Sequence, residues 1–118
     1  MANYRRRQSM GRFVKGDVVV IPFPFSDLSG SKRRPTLVLA DLPGDDILLC
    51  QITSQNTKDA FAVPLIKEDF SEGTLPSDSY IRPTRIFTAD KNSIIRKAGT
   101  VKTAVYNLVA QKIITLIQ

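Results

Sequence analysis

Pro35-Thr36-Leu37-Val38-Leu39-Ala40, the turn Leu42-Pro43-Gly44-Asp45-Asp46, and Ile47-Leu48-Leu49-Cys50-Gln51-Ile52-Thr53 form the stretch on which the fold reading turns. Two apolar runs rich in branched residues flank a Pro-Gly turn, the pattern of an antiparallel hairpin over 35–54. Proline is tolerated at the first residue of a strand, where its missing N–H breaks no ladder. Upstream, Gly16-Asp17-Val18-Val19-Val20-Ile21 reads as a buried strand, stopped by Pro22 and Pro24. Ser26 to Arg34 reads as a polar loop, and Phe61 to Leu65 as a shorter strand. Lys67 to Ser77 is acidic and turn-rich. Ser79–Arg82 and Arg85–Thr88 read as two short strands, and Ile94–Lys97 as a strand pairing back after a turn at Asp90–Ser93. Short strands at this spacing argue for a small barrel or curled sheet.

The last segment changes period. Val101, Val105, Leu108, Val109, Ile113 and Leu116 recur at intervals of four and three, which predicts an amphipathic helix laid over the sheet. Thr100 and Thr103 are its candidate caps.

At 118 residues the chain has room for one domain, and its 42% hydrophobic and 24% charged residues are those of a globular protein. There is no histidine and only one cysteine, Cys50, so His-based zinc sites, His general bases, disulfides and CxxC motifs are excluded. No phosphate-binding glycine loop is present. Glu68, Asp69 and Glu72 match no metal-binding spacing and read as a solvated loop. No apolar run is long enough for a membrane span, and no apolar stretch follows the basic start, so a cytoplasmic protein is expected.

The net charge of +6 is unevenly spread. Residues 1–15 carry five bases and no acid; residues 16–78 carry five bases against ten acids; residues 79–118 carry seven bases against Asp90 alone. Residues 1–12 read as a basic, flexible arm ahead of a single domain over 13–118. The arm serves either solubility or attraction of phosphates. Lys32-Arg33-Arg34-Pro35 reads either as a rigid guanidinium fork for phosphate or as a positive gatekeeper at a strand end. Thr53-Ser54-Gln55 places three hydrogen-bonding side chains at the end of a strand. Phe23 is read as core; Phe25 is left open between core and a stacking surface. Tyr80 and Phe87 are read as core or interface.

Taken in order, Gly16-Asp17-Val18, Arg34-Pro35 with its apolar run, Ile52-Thr53-Ser54-Gln55, a basic hairpin and a C-terminal amphipathic helix resemble the MazF/PemK toxin family. Pro24 to Lys32 is similar to one branch of it, and the resemblance spans about residues 13–117. It implies an SH3-like barrel closed by a C-terminal helix, and a homodimer. It also implies metal-independent endoribonuclease activity on single-stranded RNA at short sequences, with no cofactor, restrained by a cognate antitoxin bearing an acidic disordered segment. By the same resemblance Arg34 and Thr53 are catalytic. Lys32, Arg33, Ser54, Gln55, Arg82, Arg85 and Phe25 are substrate-binding candidates. The glutamate that MazF proper carries ahead of Arg-Pro is absent. Asp27 is the only acid of that loop and is the candidate base. Thr84 stands where some PemK-type members have an aspartate. A CcdB-like gyrase-binding toxin and an inactive nucleic-acid-binding module of the same fold are the alternatives.

The proposed chemistry needs no histidine. An RNA 2′-OH is a nucleophile already attached beside its phosphorus, so alignment and charge stabilisation are what a protein must supply. Arginine stays protonated, which suits Arg34 to stabilising phosphate charge and not to acting as a base.

Overall fold

The computed structural model describes residues 12–22 and 32–118, so the expectations for Phe23, Phe25, Asp27 and the arm before residue 12 lie outside the described residues. Seven strands make one antiparallel sheet: β1 (Asp17–Pro22), β2 (Arg33–Asp41), β3 (Asp46–Thr53), β4 (Val63–Leu65), β5 (Phe70–Gly73), β6 (Ser79–Asp90) and β7 (Arg96–Val101). Their order across the sheet is β4-β6-β3-β2-β1-β7-β5. A helix, α1 (Thr103–Ile117), follows.

The sheet curls. Val63 and Leu65 from one edge strand share a single buried cluster with Phe70 from the other edge, together with Val18, Leu37, Leu39, Cys50, Ile52, Ile81 and Val101. Val105, Tyr106, Val109 and Ile113 of α1 pack against this cluster, so the helix closes the concave side. The Tyr106 hydroxyl donates to Leu39 O at 2.6 Å and fixes the helix to β2. The opposite side of the central strands carries a second cluster: Val19, Ile21, Val38, Ile47 and Leu49, covered by Phe13, Phe87, Ala89 and Ile94. Burial on both faces explains why β1 and β2 read as unbroken apolar runs where a half-exposed strand would alternate.

Gly16 turns the chain into β1 with φ +94°, a backbone geometry that a side chain disfavours. Asp17 follows it into the interior. Its buried carboxylate accepts from Val14 N at 3.0 Å and from Thr100 Oγ1 at 3.0 Å, with Lys97 Nζ at 3.5 Å. One side chain thus ties the entry of β1 to β7. Burial pushes the Lys97 ammonium down, but Asp17 and Glu72 outweigh that and hold it above its ordinary value.

Several expectations change. Residues 79–90 form one strand, because the ladder shifts register between Cys50 and Ile52 and the bulge takes up Pro83, which has no N–H to give. The acidic stretch contains β5 and a short 3-10 turn at Lys67–Asp69. The expected basic hairpin over 82–97 does not form: β7 crosses over to pair with β1 and β5, far from β6. The helix begins two residues later than its apolar period suggests, since Val101 belongs to β7. Lys102 occupies the cap position without a side-chain bond, and Thr100 serves Asp17 instead. Leu108 and Leu116 face outward, at 47% and 37% exposure.

The connection from β3 to β4 folds back over β6. Asp59, its side chain 6% exposed, accepts from the Thr84 hydroxyl, from Phe61 N at 2.9 Å and from Arg82 Nε at 3.4 Å. The Thr84 bond, the backbone bond and the Arg82 charge together hold the carboxyl below its usual range, against the effect of burial. Beneath it, burial pushes the Cys50 thiol up to about 12 while its S–H donates to Arg82 O at 3.0 Å.

Three outcomes are expected. Acid titration of stability should show a component, present above the ordinary carboxylate range of about 4, that is lost as pH falls through the lowered pKa of Asp59. Asp59→Asn should remove that component in urea denaturation at stepped pH. Cys50 should stay unreacted with a thiol reagent at pH 8 in the folded protein and react at once in denaturant. A Cβ on Gly99 would sit 2.5 Å from Glu72 O and 3.0 Å from Phe70 Cδ2. Gly99→Ala should therefore cost about 1–3 kcal/mol of unfolding free energy, the usual scale for overpacking.

Candidate functional site

At one end of the barrel, β1 finishes, β2 begins, β3 finishes, and β6 and β7 begin. A cleft of about 440 Å³ opens there, lined by Val20, Lys32, Arg33, Arg34, Pro35, Ile52, Ser54, Gln55, the Leu75–Ser77 segment, Ser79 and Arg96. Five of the sequence candidates, Lys32, Arg33, Arg34, Ser54 and Gln55, therefore share one wall. Among the described residues no Asp or Glu lines it.

Strand pairing sets the relation between the two most pointed candidates. Thr36 pairs with Gln51 and Leu37 with Cys50. The paired ladder ends at Thr36 and Gln51, and two residues beyond it Arg34, near the start of β2, and Thr53, the last residue of β3, lie at the same end of the sheet. Arg34 lines the cleft; Thr53 is not among its lining residues and stands between two that are, Ile52 and Ser54. Both are half-buried. The Thr53 Oγ1 accepts from Gln55 N at 3.2 Å, which leaves its O–H to donate outward.

Arg82 and Arg85 are not brought to this cleft. β6 enters the rim at Ser79, and both arginines fall in the bulge between Ile81, opposite Ile52, and Ile86, opposite Cys50; neither lines the cleft. Arg82 is engaged with Asp59, and Arg85 is exposed on the flank. The position that sequence reading missed is Arg96. Local pattern puts it on a strand that pairs with its neighbour in sequence, whereas the β7 crossover places it beside Val20, at the rim. The signal was present in the basic excess of the C-terminal third, but only the topology says which of those bases reaches the cleft.

The electrostatics are one-sided. Elsewhere three cations are paired with acids: Lys91 with Asp41 at 2.7 Å, Lys97 with Asp17 and Glu72, Arg82 with Asp59. Around the cleft four cations gather, and among the described residues no Asp or Glu joins them in lining it. Such a surface attracts a polyanion and supplies fork-shaped donors for phosphate. Among the described residues no three Cys, Asp or Glu side chains gather as a metal-ligand set, and no helix is long and apolar enough to cross a membrane.

Solved structures share this architecture. An endoribonuclease in complex with its cognate antitoxin from a Mycobacterial species superposes with a TM-score of 0.71 at 16% identity, over 89% of this chain and 94% of that one. A chain of a MazE–MazF crystal structure from Deinococcus radiodurans gives 0.70 at 22% identity, over 89% and 95%. The Mycobacterium tuberculosis toxin MazF-mt6 gives 0.67 at 18% identity, over 86% and 95%. At such identities the likeness concerns the fold. No curated protein matches the chain significantly. The profile of the PemK-like, MazF-like toxins matches residues 14–117. That match runs from the residue before the β1 turn to the last residue of α1, and by it this chain belongs to the PemK-like, MazF-like toxins of type II toxin–antitoxin systems.

Proposed function

We propose that this protein is a toxin endoribonuclease that cleaves single-stranded RNA at short sequences and is restrained by a cognate antitoxin. The observation that carries the reading is a cleft lined by Lys32, Arg33, Arg34 and Arg96, with no Asp or Glu among its described lining residues and Thr53 at the same end of the adjoining strand. Family membership supports the same conclusion, as do structural neighbours described as endoribonucleases and as toxin–antitoxin complexes.

In the proposed reaction the 2′-OH attacks the adjacent phosphorus in line. A bond forms from O2′ to phosphorus and the bond from phosphorus to O5′ breaks, leaving a 2′,3′-cyclic phosphate and a 5′-OH. Arg34 donates two parallel N–H bonds to the non-bridging oxygens and stabilises the charge that builds on them. Thr53 donates its hydroxyl to the same phosphate, with its lone pair already held by Gln55 N. Ser54 and Gln55 contact the strand beside it, and Lys32 and Arg33 hold its backbone. Asp27 is the loop acid assigned to accept the 2′ proton. The leaving O5′ takes a proton from solvent, while Arg34 keeps its charge on the phosphate. The scheme requires no metal. Bases splayed from the single strand are read by the loops around the cleft.

The cleft charge also suits the antitoxin: an acidic, extended segment laid across the same cations would block RNA. The protein acts in this reading as a cytoplasmic homodimer.

Incubation of the purified protein with a mixed single-stranded RNA pool in EDTA should yield discrete fragments with 5′-OH ends. Arg34→Ala and Thr53→Val should each lower the cleavage rate by about 10²–10³, the usual cost of one preorganised donor, with an unchanged circular dichroism spectrum. Intact RNA at high protein concentration, or full activity in the Arg34→Ala variant, would overturn the assignment.

A further inference from the structure

We infer that Arg96 binds a second backbone phosphate of the substrate strand, so that the cleft grips two phosphates and not only the one being cut. The inference rests on the RNA-cleaving reading and extends it. Arg96 opens β7, is exposed, and lines the cleft. It pairs with Val20, and Val20 pairs on its other side with Pro35, the residue after Arg34. Two interstrand steps therefore separate Arg96 from the Arg34 strand, about 9–10 Å in backbone terms. Guanidinium groups projecting from strands that far apart match the spacing of neighbouring phosphates along an extended strand.

Three features favour a ligand-facing role over a solvated surface charge. No ion pair of Arg96 is formed among the described residues, whereas its neighbour Lys97 turns to the other side of β7 and is engaged by Asp17 and Glu72. Among the described residues, no Asp or Glu lines the cleft it borders. The opposite wall supplies Ser77 and Ser79, small polar side chains that leave room for a sugar–phosphate chain. A second phosphate contact also makes chemical sense: binding energy taken from a non-reacting part of the substrate holds the scissile phosphate on Arg34.

The test is anisotropy titration of a labelled single-stranded RNA containing a mapped cleavage site, with a 2′-deoxy nucleotide at that site to block cutting, over a series of salt concentrations. Arg96→Gln should weaken binding and reduce the magnitude of the salt slope by about one, the signature of one lost phosphate contact. Arg96→Lys should recover most of both. Neutral methylphosphonates placed singly along the RNA should include one position, outside the cut, that weakens the wild type but not Arg96→Gln. On cleavable RNA, the Gln variant should lower kcat as well as raise KM, because the remote contact also positions the scissile phosphate. An unchanged affinity and salt slope in a folded Arg96→Gln protein would overturn the inference while leaving the cleavage reading intact. A wild type that binds with the Arg96-dependent slope yet cuts nothing would do the reverse.

Discussion

Sliding β2 by one residue against β3 would move every side chain of the strand to the opposite face, and both the core and the site would be lost together. This register is the constraint on which the rest depends. It sets Leu37 against Cys50 inside the curled sheet and brings the strand ends that carry Arg34 and Thr53 to one rim. A slip would exchange the two buried sets, forcing Leu37 and Leu39 into the space fitted to Val38, so packing on both faces enforces the register that places the polar strand ends. The charged rim costs little because it lies beyond the last buried pair, where water and ligand can solvate it.

A second tie makes the rim a cleft. Asp17 binds Thr100 and Lys97 and holds β7 on β1. That crossover gives the concave face its third wall and carries Arg96 across to the cationic residues of β2. The buried carboxylate is satisfied by a backbone N–H, a hydroxyl and an ammonium, which is the condition under which a buried charge is tolerable. The Asp59 cluster does a comparable job on the far side: it fastens the β3–β4 connection to β6, and in doing so takes Arg82 out of the set of cations open to a ligand. The absence of an aspartate at position 84 is therefore met locally by a carboxylate arriving from another segment, at a place where it serves the fold.

Much was legible in the chain before folding was considered. The hairpin over 35–54 was readable because branched apolar residues and a Pro-Gly turn act over a few residues. The same holds for the strand from Val18 to Ile21 and for the terminal helix, whose period of three and four is a local property. Lys32 to Arg34 and Thr53 to Gln55 stood out for the same reason: each is a short polar cluster abutting an apolar strand.

The amino-acid sequence by itself determined the strands, the helix, the missing histidine chemistry and the resemblance that led to Arg34 and Thr53. Tertiary structure alone decided which strands neighbour one another, and hence that Arg96 joins the cleft while Arg82 and Arg85 stand away from it. The reason is physical. Local periodicity follows from the backbone geometry of a few residues, whereas pairing of β7 with β1 joins segments some 80 residues apart. It is chosen by the shared burial of Val18, Val101 and Phe70 and by the Asp17 tie. No short stretch of chain records that choice.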